Sequence, residues 1–206
     1  MMLGYIETEG LAPGPTKLSL PALSSRTARG KVRLCPTSNP PHALLTNYAN
    51  AGAYTDCFVT EVTRSVSHAE FVEAFYTGGL FKVERFLLRV FISRPSTDLQ
   101  AQQLAAGELN EFAAWRVEAR AVDQLLLCAI DGRTRSWLMV SAADVPGWTR
   151  LYFGSALLPR PTPVNSPDAT GKPSLGIVFK ALLGFHNWYS RALLSAAAAR
   201  LMRVSR

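Results

Sequence analysis

Arg135 stands in the segment Thr134-Arg-Ser-Trp-Leu-Met139, with Trp137 and Met139 on the same parity. An arginine among such residues needs an acceptor, because guanidinium groups are rarely buried unpaired. Its planar fork suits a carboxylate, a phosphate or an enolate. The partner is either a structural carboxylate, with Asp56 and Glu61 as candidates, or an anionic group on a ligand. The histidines His42, His68 and His186 are isolated and lack metal-ligand spacing, so no metal site is expected. Each is read as a packed or surface imidazole unless it reaches a pocket mouth, where it would serve as a general base. The chain has no G-x-G-x-x-G and no G-x-S-x-G. Gly171-Lys172-Pro173-Ser174 matches only the tail of a phosphate loop, because Ser166 stands where the first glycine belongs and Pro173 follows the lysine. No cofactor is expected.

The 206 residues suit one domain with extensions, and 48% hydrophobic content supplies a core. Cys35, Cys57 and Cys128 are far apart and odd in number, which fits a reduced, cytoplasmic chain better than a disulfide framework. No charged segment followed by an apolar run opens the sequence, so no secretory signal is read. The net charge of +7 is uneven: residues 145–206 hold eight bases and the single acid Asp168, whereas residues 53–144 hold nine bases and twelve acids. Residues 1–50 carry six prolines and a Ser/Thr/Arg-rich middle, and are expected to form a loosely ordered basic extension. The domain proper is placed at 51–199, with a basic tail at 200–206.

Tyr54–Val62 has strand composition. Ser67-His-Ala-Glu70 is a capping box that starts a helix carrying Phe71, Val72, Phe75 and Tyr76, and Gly78-Gly79 ends it. Leu80 to Ile92 has helical spacing, and Ser96-Thr97-Asp98 caps a third helix through Ala106. Segments 112–120, 123–130, 134–142 and 149–158 then read as an antiparallel sheet. Asp131-Gly132 predicts a two-residue type I′ turn, which sets Cys128 against Arg135 and Leu126 against Trp137. A second tight turn at Ala121-Val122 would set Trp115 against Cys128 and Val117 against Leu126. One sheet face then carries Trp115, Val117, Leu126, Cys128, Arg135, Trp137 and Met139, and this apolar face is expected to meet the core or a cavity.

After a five-proline loop at Pro159 to Pro173, residues 175–199 form an amphipathic helix with Phe179, Leu182, Phe185, Tyr189 and Leu193 in one stripe. His186 borders that stripe. Charges interrupt it too often for a membrane span. A helix lying across the apolar face makes a pocket. Its expected ligand-binding residues are Arg135, Trp137, Trp115, Leu126, Met139, Tyr189 and His186.

This order of strand, helices, strand meander and long C-terminal helix resembles the START-like, helix-grip (SRPBCC) superfamily. Phe112-Ala-Ala-Trp115, Gly132-Arg-Thr-Arg-Ser-Trp137 and Leu151-Tyr-Phe-Gly154 also look like an uncharacterised bacterial family of similar layout. The resemblance implies an α+β fold whose curved antiparallel sheet grips the last helix, with a hydrophobic cavity between them. It transfers no catalytic residue.

Three functions follow as expectations. The first is binding of a small hydrophobic, aromatic, lipid- or polyketide-like molecule, with Arg135 anchoring an anionic group. The second is a cyclase, dehydratase or lyase, in which His68 or Asp56 is the base and Arg135 stabilises an enolate. The third is peripheral attachment of the basic C-terminal segment (Arg191, Arg200, Arg203, Arg206) to an anionic membrane or a partner. Arg116 and Arg120 alternate with Glu118 and the domain body is acidic, so nucleic acid is not an expected partner. The sequence sets no oligomeric state.

Overall fold

The computed structural model describes residues 34–79, 97–159 and 177–203, with the backbone alone for 177–185. Residues 1–33, the expected helix at Leu80–Ile92 and most of the proline-rich loop lie outside the described residues. The fold is α+β. Its elements in chain order are β1 (Cys35–Pro36), α1 (Thr46–Asn50), β2 (Tyr54–Val62), α2 (His68–Tyr76), α3 (Asp98–Ala106), β3 (Glu111–Phe112), β4 (Trp115–Ala121), β5 (Gln124–Ala129), β6 (Thr134–Ala142), β7 (Thr149–Leu157) and α4 (Ile177–Arg203). The seven strands form one open antiparallel sheet in the order β1-β2-β7-β6-β5-β4-β3.

The helices α2 and α3 begin as their sequences dictate. Glu70 N donates to Ser67 Oγ at 3.2 Å, while Ser67 N donates to Glu70 Oε2 at 2.8 Å. Thr97 and Gln100 repeat this capping box at α3, and Gly107, at φ +85°, closes that helix in the left-handed region.

The β5–β6 register is as read from Asp131-Gly132: Cys128 opposes Arg135 and Leu126 opposes Trp137. The turn is wider than a type I′ pair. Of its residues Gly132 alone has positive φ, and Gly132 N donates to Ala129 O at 2.9 Å. Asp131 Oδ1 accepts from the backbone N of Arg133 and Thr134 at 2.8 and 3.1 Å. A two-residue and a four-residue loop centred on the same point give the same opposition, so the faces are unaffected.

The β4–β5 register differs from expectation. The turn is Val122-Asp123, with Ala121 opposite Gln124, and a bulge lies between Val117 and Ala119. Trp115 therefore opposes Ala129, Val117 opposes Leu127, and both move to the other face of the sheet. Aspartate is the stronger turn residue because its side chain bonds nearby backbone, whereas Ala121 has no such capacity. Val122 is fully exposed at the tip.

The central strands are apolar on both faces, and each face has its own cover. On the first, Phe58, Leu125, Leu127, Leu138, Leu151 and Phe153 pack with Phe71 and Phe75 of α2, Leu104 of α3, and Leu193, Leu194 and Leu201 of α4. On the second, Val59, Leu126, Trp137, Met139 and Tyr152 pack with Ala43, Leu45 and the half-buried Leu44 and Tyr48. Residues 34–50 are thus part of the fold, which corrects the domain start expected near residue 51. They supply β1 and the cover of the second face. The buried amide of Gln124 fixes this cover. Its Oε1 accepts from Leu44 N and from Trp137 Nε1, each at 2.9 Å, and its Nε2 donates to His42 O at 3.1 Å.

Gly154 in β7 is the socket for Leu45. A Cβ there would meet Leu45 Cδ2 and the Asp56 carbonyl oxygen at 2.7 Å, and Trp137 Cε3 at 3.2 Å. The carbonyl belongs to the paired strand β2 and cannot turn aside. Gly154→Ala is expected to destabilise the protein by about 1–3 kcal/mol through overpacking. Chemical denaturation followed by far-UV circular dichroism checks this; an unchanged midpoint would mean that Leu45 is not seated against Gly154.

Candidate functional site

Asp56, Ser155 and Ser136 stand directly opposite one another on β2, β7 and β6. They form a polar row across the face covered by α2 and α4. Neighbouring rows, such as Phe58, Phe153 and Leu138, are apolar. Over the polar row α4 presents His186 and Ser190. Here a cleft of about 210 Å³ opens between sheet and helix, lined by Phe75, Tyr76, Trp115, Thr134, Arg135, Ser136, Phe153, Ser155, His186, Tyr189, Ser190 and Leu193.

The polar wall is a short hydrogen-bonded network. The Asp56 carboxylate, 8% exposed, accepts at Oδ1 from Ser155 N at 2.8 Å and Ser155 Oγ at 2.7 Å. Ser155 Oγ also lies 2.8 Å from His186 Nε2, which is 3.2 Å from Asp56 Oδ2 without hydrogen-bonding alignment. Ser155 has one hydroxyl proton and the carboxylate takes it. His186 Nε2 must then carry a proton and donate to Ser155 Oγ, a tautomer assigned from the network. One ring nitrogen thus faces both partners. In a nucleophilic triad the histidine uses two nitrogens, one toward the serine and one toward the carboxylate. The arrangement here orients a serine and an imidazole at a cleft wall and does not activate the serine as a nucleophile.

The opposite walls are aromatic. Phe75 and Phe153 lie with centroids 4.8 Å apart, and the Tyr76 hydroxyl is 3.4 Å from Ser136 Oγ. Two polar groups of the lining have no hydrogen-bond partner among the described residues: the Trp115 indole Nε1 and the hydroxyl of Ser190, a residue 1% exposed. Buried polar groups are nearly always satisfied, so each such group points to a missing acceptor or donor.

Of the residues expected to bind ligand, Trp115, Tyr189 and His186 line this cleft. Arg135 borders it, but its guanidinium is held on the second face. Nε donates to Tyr48 Oη at 2.9 Å and pairs with Glu118 Oε2 at 2.7 Å, and Nη1 donates to Gly132 O at 2.8 Å. Tyr48 in turn donates to Glu118, and its ring lies under the guanidinium at 5.0 Å. The structural partner of Arg135 is thus Glu118, the bulge residue, and neither Asp56 nor Glu61. Glu61 pairs with Arg150 at 2.8 Å.

Trp137, Leu126 and Met139 are also on the second face, buried beneath Ala43 and Leu45. The expectation that the last helix covers them is corrected: α4 covers the opposite face, and Trp115 joins it through the bulge at Glu118. The pairing of an Asp56 base with an Arg135 oxyanion stabiliser is absent for the same reason. Sequence reasoning missed Ser155, Ser136 and Ser190. Ser155 did leave a signal, because Gly154-Ser155 interrupts an otherwise apolar strand and lies opposite Asp56 once β2 and β7 pair.

The basic end of α4 is engaged within the chain. Arg200 Nη1 donates to Thr77 O at 2.9 Å, Arg203 Nε donates to Ala199 O at 3.3 Å, and Arg191 lies 5.2 Å from the Phe58 ring centroid. Arg206 lies outside the described residues. Among the described residues no helix is long and apolar enough to cross a membrane. Comparison of the chain with protein-family models, with curated proteins and with solved structures gives no match.

His68 does not line the cleft. Its Nε2 is buried without a partner among the described residues, and burial pushes the imidazole below its ordinary pKa of 6.5, with the nearby Arg120 adding to this and the Leu138 backbone and Asp123 opposing it. The folded protein therefore binds this proton less readily than the unfolded chain. The stability tied to neutral His68 is complete above the unfolded value and is lost as pH falls through the folded one. His68→Gln should flatten the fall in Tm between about pH 7 and pH 5. A Tm profile parallel to that of the unaltered protein would remove His68 from the acid response.

Proposed function

We propose that the protein binds one small, largely apolar molecule in the cleft between the sheet and α4. The observation that carries this reading is the coexistence of aromatic walls, from Phe75, Trp115, Phe153 and Tyr189, with a few fixed polar groups at one side. Ligand sites have this composition: apolar surface for affinity and a small polar set for orientation. The volume of about 210 Å³ lies below the ~300–1,000 Å³ of sites for drug-sized molecules. A single ring with a short chain suits it better than a polycyclic or a long acyl chain. Ser155 and His186, held by Asp56, are the anchoring groups in place of Arg135.

Isothermal calorimetry with small benzyl compounds tests the reading. Saturable binding is expected. Leu193→Phe, which narrows the cleft from α4, should weaken it at least fivefold while circular dichroism stays unchanged. Binding insensitive to Leu193→Phe would place the ligand elsewhere and end this assignment.

A further inference from the structure

A second cleft, of about 220 Å³, opens beside the first near the β5–β6 turn, with Glu111, Arg116, Cys128, Ala129 and Gly132 in its lining. Among the described residues, Trp115 alone belongs to both linings. We infer that the Trp115 indole is the end wall of the ligand cleft and sets the length of the molecule it accepts. This inference rests on the cleft being a ligand site, and it adds the residue that limits ligand size.

The wall follows from the sheet. Trp115 begins β4 and is paired on both sides, with Phe112 of β3 and Ala129 of β5. Its backbone is therefore fixed, and only the ring can give way. The bulge at Glu118 puts the side chain on the helix face, where it packs against the core under α2 and α4. Ala129 stands directly opposite and presents only a methyl group. Ala129 and Thr134 each lie one residue nearer the turn than the Cys128–Arg135 pair. Ala129 lines the second cleft and Thr134 the first, so the two clefts meet here. Of these three residues only Trp115 is large enough to fill the space between them.

The indole acts through its bulk. Its Nε1 has no hydrogen-bond partner among the described residues, so removing the ring strands no group there. Interiors are close-packed, and a chain that overruns such a wall has to displace it. In open apolar space each further buried methylene raises affinity about fourfold. Against the indole that increment stops. Beyond it stand the charged and exposed Glu111 and Arg116, so a chain that passes the wall gains most if its far end is polar.

Phenylethanol, phenylbutanol and phenylhexanol, each with its hydroxyl at the far end of the chain, read the length limit. Binding is measured by isothermal calorimetry on the full chain. The unaltered protein is expected to bind phenylhexanol no more tightly than phenylbutanol. In Trp115→Ala the affinity for phenylhexanol relative to phenylethanol should rise at least tenfold. Trp115→Leu, which keeps apolar packing against the core, should shift the ratio in the same direction by less. Ile130 lines the second cleft and is largely exposed, so Ile130→Trp fills that cleft from its rim. Added to Trp115→Ala, it should remove the gain. Affinity that climbs steadily through all three alcohols in the unaltered protein would overturn the inference. So would an unchanged ratio in both Trp115 variants, or a gain that survives Ile130→Trp, which would mean that the chain fits in the space of the indole alone. In each of these cases phenylethanol binding keeps the cleft as a ligand site. If no alcohol binds the unaltered protein or the variants, the inference and the binding reading fall together.

Discussion

The sheet has two apolar faces, and that constraint governs the rest of the molecule. Leu125, Leu127, Leu138 and Phe153 point one way, while Leu126, Trp137, Met139 and Tyr152 point the other. A sheet with one wet face would be satisfied by the helices alone. This one needs a second cover, and residues 34–53 provide it. Gln124 makes that cover specific. Its amide sits in an apolar layer, where it would be destabilising if unpaired, and it finds partners on both the sheet and the covering segment. The segment is thereby held in one register. Leu45 then falls over Gly154, the one site on β7 where a neighbour without a side chain leaves room.

Much of this architecture is legible in the sequence, and the exceptions have physical causes. Capping boxes are local, so Ser67–Glu70 and Thr97–Gln100 announce their helices directly. The Asp131-Gly132 hairpin is also local, and its register survives a wider turn than expected. The β4–β5 hairpin lacks such a marker, and a bulge at Glu118 adds a residue to one strand. That one parity change carries Trp115 and Val117 to the helix face and leaves Ala119 on the other, whereas the moved turn shifts the register by two and alters no face. Period-2 reading has no means of seeing a bulge. The Pro-rich composition before residue 50 hid β1 and α1, because a cover can be irregular so long as its few apolar residues, Ala43, Leu45 and Tyr48, land on the sheet.

The candidate site was half legible for the same reason. Tyr189 and His186 follow from the stripe of the last helix, which is a periodic signal. Arg135 was correctly read as an arginine that must be paired, but its partner is the bulge carboxylate. Pairing there depends on Glu118 and Tyr48 converging from β4 and α1, elements far apart in sequence. The polar row Asp56-Ser155-Ser136 depends on three strands being adjacent, and strand order is not written in any one of them.

The position of the cleft follows from how α4 spends its length. In its second half Leu193, Leu194, Ala197, Ala198 and Leu201 are buried, so the helix presses close on the sheet and α2. One turn earlier the helix turns His186 and Tyr189 toward the cleft, both half-buried. These are too large and too polar to interlock with Ser136 and Ser155 below them. Close packing is lost where bulky polar groups face a polar row, and the space between becomes the cleft. The same row separates two charge networks. Glu118–Tyr48–Arg135 is satisfied on the second face, and Asp56–Ser155–His186 on the helix face. Asp56 is not among the residues that line the cleft, and Arg135 spends its Nε and Nη1 on the second face, so what the cleft chiefly offers a ligand is aromatic surface and hydrogen-bonding side chains.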